Sequence, residues 1–123
     1  MNELTYSQKK YLFAIYRIGQ NGEEIKSSEV AKFVGVSKAS TASMMVKLCE
    51  SGYIMKEHYG QIRLTESGVK EANSIFTSCT IIRNFLEKIL GLDEKTADED
   101  SVKIVINASE KTINHFAGYL MKR

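Results

Sequence analysis

Residues 38–47, Lys-Ala-Ser-Thr-Ala-Ser-Met-Met-Val-Lys, carry the side chains whose types and spacing best suit molecular recognition. Thr41, Met44, Met45 and Leu48 recur at helical intervals and predict one inward face. That leaves Lys38, Ala39, Ser40, Ala42, Ser43 and Lys47 on the outer face. Small side chains there let a helix sink into a DNA major groove, where serine hydroxyls donate to or accept from several base edges. Ala39 and Ala42 offer close contact to a thymine methyl, and the lysines suit phosphates at the groove rim. Ser37, just before the run, is expected both to cap this helix and to face the groove. The implied chemistry is reversible contact. No nucleophile elbow, Gly-rich phosphate loop or cluster of His with carboxylates points to an enzyme, and a lone pairing of Cys79 with His115 is a poor candidate nucleophile.

The surrounding residues supply the elements that must position this helix. Val30, Ala31 and Val34 predict a short preceding helix, with Gly35 as the turn and Val36 plugging the corner. Residues 53–57 and 61–64 read as two strands flanking His58-Tyr59-Gly60, a β-hairpin wing that offers Lys56, Tyr59 and Arg63 to phosphates. Upstream, residues 7–18 predict the first helix, Ile25 a short edge strand, and Ser28 the cap of the second helix. Downstream, Thr65 caps a long helix stopped at Gly91. An acidic connector is expected over 92–100, then helices over 99–107 and 109–120, the last capped by Ser109. The expected fold is mainly α with a small β wing. A winged helix-turn-helix fills residues 1–64, and a long linking helix with a helical dimerisation domain fills 65–123.

Composition agrees with a single small globular chain. Its 123 residues are 43% hydrophobic and 26% charged, and proline is absent, which suits long uninterrupted helices. No apolar run is long enough to span a bilayer and no apolar leader opens the chain, so the expected location is cytoplasmic, without membrane contact. Cys49 and Cys79 fit reduced thiols and form no C-x-x-C pair. The net charge of +2 is small, but its distribution is uneven: residues 1–70 hold ten Lys or Arg against seven acids, and residues 71–123 seven against eight. The basic excess lies with the helix-turn-helix, where double-stranded DNA would need it.

The C-terminal half carries more apolar side chains than two small helices bury alone. Val102, Val105, Ile106, Ile113, Phe116 and Leu120 are the expected dimerisation residues. A two-fold homodimer would set two reading helices about 34 Å apart, one turn of DNA, and so read an inverted repeat.

Several fragments together resemble the diphtheria toxin repressor and manganese transport regulator family. They are Leu4-Thr5 with Tyr11-Leu12 and Ile15-Tyr16, then Glu29-Val-Ala, Val36-Ser37, Val46-Lys-Leu, Gly52-Tyr-Ile, Leu64-Thr-x-x-Gly68, and Phe85-Leu through Gly91-Leu92-Asp. Each is short, but their order and spacing run across nearly the whole chain. The resemblance implies a winged-helix head, a helical dimerisation domain, and repression of metal-homeostasis genes in response to Fe²⁺ or Mn²⁺.

At the ligand positions that the resemblance implies, the chain departs from the family. Lys10 and Phe13 stand in the first helix, Cys79 with Arg83 in the long helix, and Val102, Val105 and Ile106 in the next. Aliphatic carbon donates no lone pair, and Lys10 would bring positive charge close to a bound cation. Cys79 and Asp98 remain as weak metal candidates. The expectation is a regulator independent of metal at these positions, with Phe13 and the three aliphatic residues substituting apolar packing for coordination. His58 is expected in the wing turn and His115 on a partly exposed helix. Two alternatives stay open: a winged helix that docks another protein, and a regulator sensing a non-metal ligand.

Overall fold

A computed structural model describes residues 4–20, 22 and 24–121. Among them the order is α1 (Tyr6–Gln20), α2 (Ser27–Val34), α3 (Lys38–Glu50), β1 (Ile54–Lys56), a tight turn (His58–Gly60), β2 (Ile62–Leu64), α4 (Glu66–Lys88), α5 (Glu94–Asn107) and α6 (Glu110–Met121). The expected class, mainly α with a two-stranded antiparallel wing, is the class observed. The chain divides into two compact units, Met1–Asn73 and Ser74–Arg123. The sequence places the end of the head near residue 64; in the structure the first unit also takes in the opening turns of α4. Ala72 is buried there, and the Tyr16 hydroxyl donates to Asn73 Oδ1 at 2.6 Å.

The first unit is built around one apolar cluster. Leu12, Ile15 and Ile18 of α1 meet Val30 of α2, Met45 and Leu48 of α3, and Ile54 and Ile62 of the wing strands. Each fully buried aliphatic side chain of this kind stabilises by about 1.5–3 kcal/mol. The wing strands pair in a register that sets Ile54 opposite Leu64 and Lys56 opposite Ile62; Ile54 and Ile62 are buried and Leu64 half-buried on one face, while Lys56, at the outer end of that face, is exposed.

Local hydrogen bonds fix where the helices begin and end. Thr5 and Gln8 form a reciprocal capping box: Gln8 N–H donates to Thr5 Oγ1 at 3.1 Å, and Thr5 N–H to Gln8 Oε1 at 2.9 Å. Thr65 Oγ1 accepts from Gly68 N–H and donates to the Gly52 carbonyl, tying the end of α3 to the start of α4. Gly52, at φ +82°, closes α3 in a Schellman pattern, with Tyr53 N–H on the Leu48 carbonyl and Gly52 N–H on that of Cys49. Ser109 caps α6 through Thr112 N–H, as expected.

Four expectations need correction. The helix expected from residue 99 begins at Glu94, because Asp93 caps it through Thr96 N–H at 3.0 Å. Carboxylates are favoured in the first turn of a helix, so most of the acidic connector is helical. The Thr96 backbone N–H, and then its side chain, hold the Asp93 carboxyl below its ordinary range. Ser28 is not a cap: α2 starts after Lys26, whose carbonyl accepts from Glu29 and Val30 N–H without a side-chain cap. Ile25 forms no strand, since α2 begins two residues later, yet its carbonyl accepts from Ile62 N–H at 2.7 Å and so braces the wing. Val36 does not plug the helix corner. Gly35, at φ +81°, and Val36 both donate backbone N–H to the Ala31 carbonyl, so the main chain closes the turn and the valine stays exposed.

In the second unit α4 buries Ile75, Cys79, Ile82 and Leu86, α5 buries Ala97, Ser101, Val105 and Ile106, and α6 buries Ile113. Phe85 and Phe116 meet edge to face with centroids 5.0 Å apart. No described helix is long and apolar enough to cross a membrane.

Gly68 offers a direct check on how α4 joins the head. A Cβ at this position would collide with the Tyr53 carbonyl oxygen, which is backbone and cannot swing aside. Gly68→Ala should therefore cost about 1–3 kcal/mol or more, read as a lowered urea midpoint. A midpoint equal to that of the parent would contradict this packing.

Candidate nucleic-acid interface

Both faces of α3 are settled by one period. Thr41, Met45 and Leu48 are buried and Met44 is half-buried, whereas Lys38, Ala39, Ser40, Ala42, Ser43 and Lys47 are all exposed, as the sequence predicts. The Thr41 hydroxyl, turned inward, donates to the Ser37 carbonyl at 3.0 Å and so enters the core without an unmet hydrogen bond.

Ser37 and Ser40 divide the work at the start of α3. Ser37 Oγ accepts from Ser40 N–H at 3.1 Å and donates to Ser40 Oγ at 3.0 Å. The bond from Ser40 N–H makes Ser37 the cap that holds the helix start in place. Both hydroxyls remain exposed. An outward hydroxyl donor suits guanine O6 or N7, adenine N7, thymine O4 or a phosphate oxygen. The N–H groups of Lys38 and Ala39, in the first turn, have no partner within the helix and point where a phosphate is favoured.

The wing presents a different chemistry. Tyr59 is 97% exposed and holds φ +64°, while Gly60 follows at φ +75°. Two successive positive φ values make a hairpin turn whose twist matches its strands, and a tyrosine in the first of them carries a conformational cost of about 1–2 kcal/mol. That cost holds an aromatic ring and its hydroxyl at the tip. Lys56 and Arg63 are exposed on the strands. Arg63 Nη1 lies 3.2 Å from Glu57 Oε1. A surface pair of this sort contributes at most about 1 kcal/mol, so the guanidinium can leave for a phosphate, although Glu57 competes for it.

Sequence reasoning missed one outer-face residue. Val46 is exposed beside Ala42 and Ser43. Neither face of the expected helix includes it, although helical phase alone places it outside.

Beyond the head, the expected dimerisation residues divide by burial. Val105, Ile106 and Ile113 are buried in the single chain, and Val102, Phe116 and Leu120 are half-buried. Exposed apolar groups in this unit are Ile89, Leu90, Leu92 and Tyr119. His58 is exposed in the wing turn, and exposed His115 donates its Nδ1 proton to the Lys111 carbonyl at 2.8 Å.

The positions at which the family resemblance implies iron or manganese do not fit such an ion. Asp98 faces Arg83, with Oδ1 3.5 Å from Nη1, in an open cleft of about 560 Å³ lined also by Glu87, Glu94 and Lys95. Phe13 is buried, with the Arg17 guanidinium 5.8 Å above its ring. Cys79 is buried, Lys10 is exposed, and Val102, Val105 and Ile106 contribute only carbon. Among the described residues no three His, Cys, Asp or Glu side chains come together to hold a metal ion.

Comparison with known proteins supplies the remaining evidence. Residues 3–62 match the family of the N-terminal DNA-binding domain of iron-dependent repressors. An uncharacterised HTH-type transcriptional regulator of Methanocaldococcus jannaschii is 35% identical over 117 residues, covering 95% of this chain and 90% of that protein. The HTH-type transcriptional regulator MntR of Lysinibacillus sphaericus is 26% identical over 113 residues, covering 92% of this chain and 81% of its own length. Among solved structures, IdeR of T. acidophilum shares the fold with a TM-score of 0.77 at 20% identity, over 98% of this chain and 56% of that one.

Two substitutions separate the electrostatic roles. Lys47→Ala should weaken binding to any duplex alike and reduce the slope of log affinity against log salt by about one. Glu57→Ala should tighten binding to random-sequence DNA by releasing Arg63. Fluorescence anisotropy across a salt series checks both, and an unchanged slope for Lys47→Ala would take that lysine off the phosphates.

Proposed function

The chain belongs to the diphtheria toxin repressor and manganese transport regulator family, and from that premise we propose that it represses transcription as a homodimer on an inverted repeat, without iron or manganese at the family's ligand positions. Relatives of this type are DNA-binding transcriptional regulators, not enzymes.

The observation that carries the DNA-reading role is the division of α3. Its inner face is locked into the head while its outer face offers small side chains bordered by lysines. Ser40, Ala39, Ala42 and Ser43 face the bases, Lys38 and Lys47 face phosphates, and the wing residues Lys56, Tyr59 and Arg63 hold the flanking backbone. Dimerisation draws on the second unit. Ile89, Leu90, Leu92 and Tyr119 remain exposed there, and Val102, Phe116 and Leu120 are incompletely covered, leaving apolar surface for a second copy to bury. Metal independence rests on the donor set: one buried thiol and one carboxylate already facing an arginine, among two cations and aliphatic carbons. A transition metal would lose more hydration than such a site returns.

Titration of a selected duplex with the full-length protein tests these points together. Two chains should bind per duplex, with the same affinity in a strong chelator as with added Fe²⁺ or Mn²⁺. A large loss of affinity in chelator, restored by either ion, would overturn metal independence. A stoichiometry of one chain per duplex would overturn the dimer.

A further inference from the structure

Val46 is a branched aliphatic side chain 55% exposed on a helix that already buries Thr41, Met45 and Leu48 on its other side. It follows Ala39 by seven residues, Ala42 by four and Ser43 by three, so these four exposed, uncharged side chains share one stripe. Lys38 and Lys47 lie about a quarter turn to either side of that stripe, at opposite ends of it. Glu50, one turn past Val46 and also exposed, closes it with a carboxylate. Cations along the borders and small carbon groups along the centre mirror a major groove, with phosphates on its walls and base edges on its floor. Valine has no atom that forms hydrogen bonds. The one base feature that rewards it is the C5-methyl group, which thymine alone presents in that groove.

Resting on the DNA-reading role proposed above, we propose that Val46 is a specificity-determining residue that packs on a thymine C5-methyl, while Ala39 contacts a second thymine at the other end of the stripe. Their separation of seven positions is a rise of about 10 Å along the helix, so the two methyls are met at opposite ends of the stripe and each half-site carries two contacted thymines.

The test uses the full-length protein and the duplex recovered by selection from a random-sequence library. Thymines are replaced one at a time by deoxyuridine, which removes the methyl and leaves base pairing unchanged. Anisotropy at fixed salt should show about fourfold weaker binding at each of two thymines per half-site, the size expected for one buried methyl group. Val46→Ala should weaken the parent duplex comparably and lose the deoxyuridine penalty at one of the two thymines while keeping it at the other, with the melting temperature of the protein unchanged. If every deoxyuridine duplex binds the parent protein normally, or if both penalties persist in Val46→Ala, Val46 does not read thymine; a preferred sequence in the same selection would leave the role of α3 standing. Recovery of no preferred sequence would remove both.

Discussion

Burial of Thr41, Met45 and Leu48 fixes the rotation of α3 about its own axis, and everything else in the first unit follows from that rotation. A slip of one residue would turn the helix by about 100°, exposing Met45 and driving polar groups inward. The cluster that prevents this is shared: Leu12 and Ile15 come from α1, Val30 from α2, and Ile54 and Ile62 from the wing. The wing is thus part of the device that holds the reading helix, besides being a contact surface. Ile25 adds a backbone hydrogen bond to β2 at the same place. An interior packed this closely tolerates little rotation, so the outer face is presented at a defined angle.

Much of this was legible in the sequence because its signals are local and redundant. The 3.6-residue period of α3, the glycines at 35 and 52, and the hydroxyls at 37, 65 and 109 each marked a boundary that the hydrogen bonds bear out. Errors fell where two residue types compete for one role. Ser28 resembled a cap, but the chain turns one step earlier at Lys26, where backbone carbonyl bonding suffices. Acidic residues after Leu92 resembled a linker, although the same charges favour a helix start once Asp93 caps it. Val36 resembled core, yet it is exposed because backbone bonds close the corner.

On the outer face of α3 and the wing, exposure was easier to foresee than local pairing. Ser37 is legible as the cap, but its added contact with the Ser40 hydroxyl, 3.0 Å away, is not. Arg63 reads as a plain phosphate contact until Glu57 is found beside it. At the positions where the family resemblance implies metal ligands, this chain carries Lys10, Phe13, Arg83 and three aliphatic side chains beside the thiol of Cys79.

The measurement that bears most directly on the outer face of α3 is a map of backbone amide shifts in the full-length protein as the selected duplex is added. The largest changes should fall within residues 38–47 and across the wing at 56–63, with Met45 and Leu48 changing less than their outward neighbours. Changes confined to α5 and α6, or none at saturating duplex, would contradict the assignment of this helix as the reading surface.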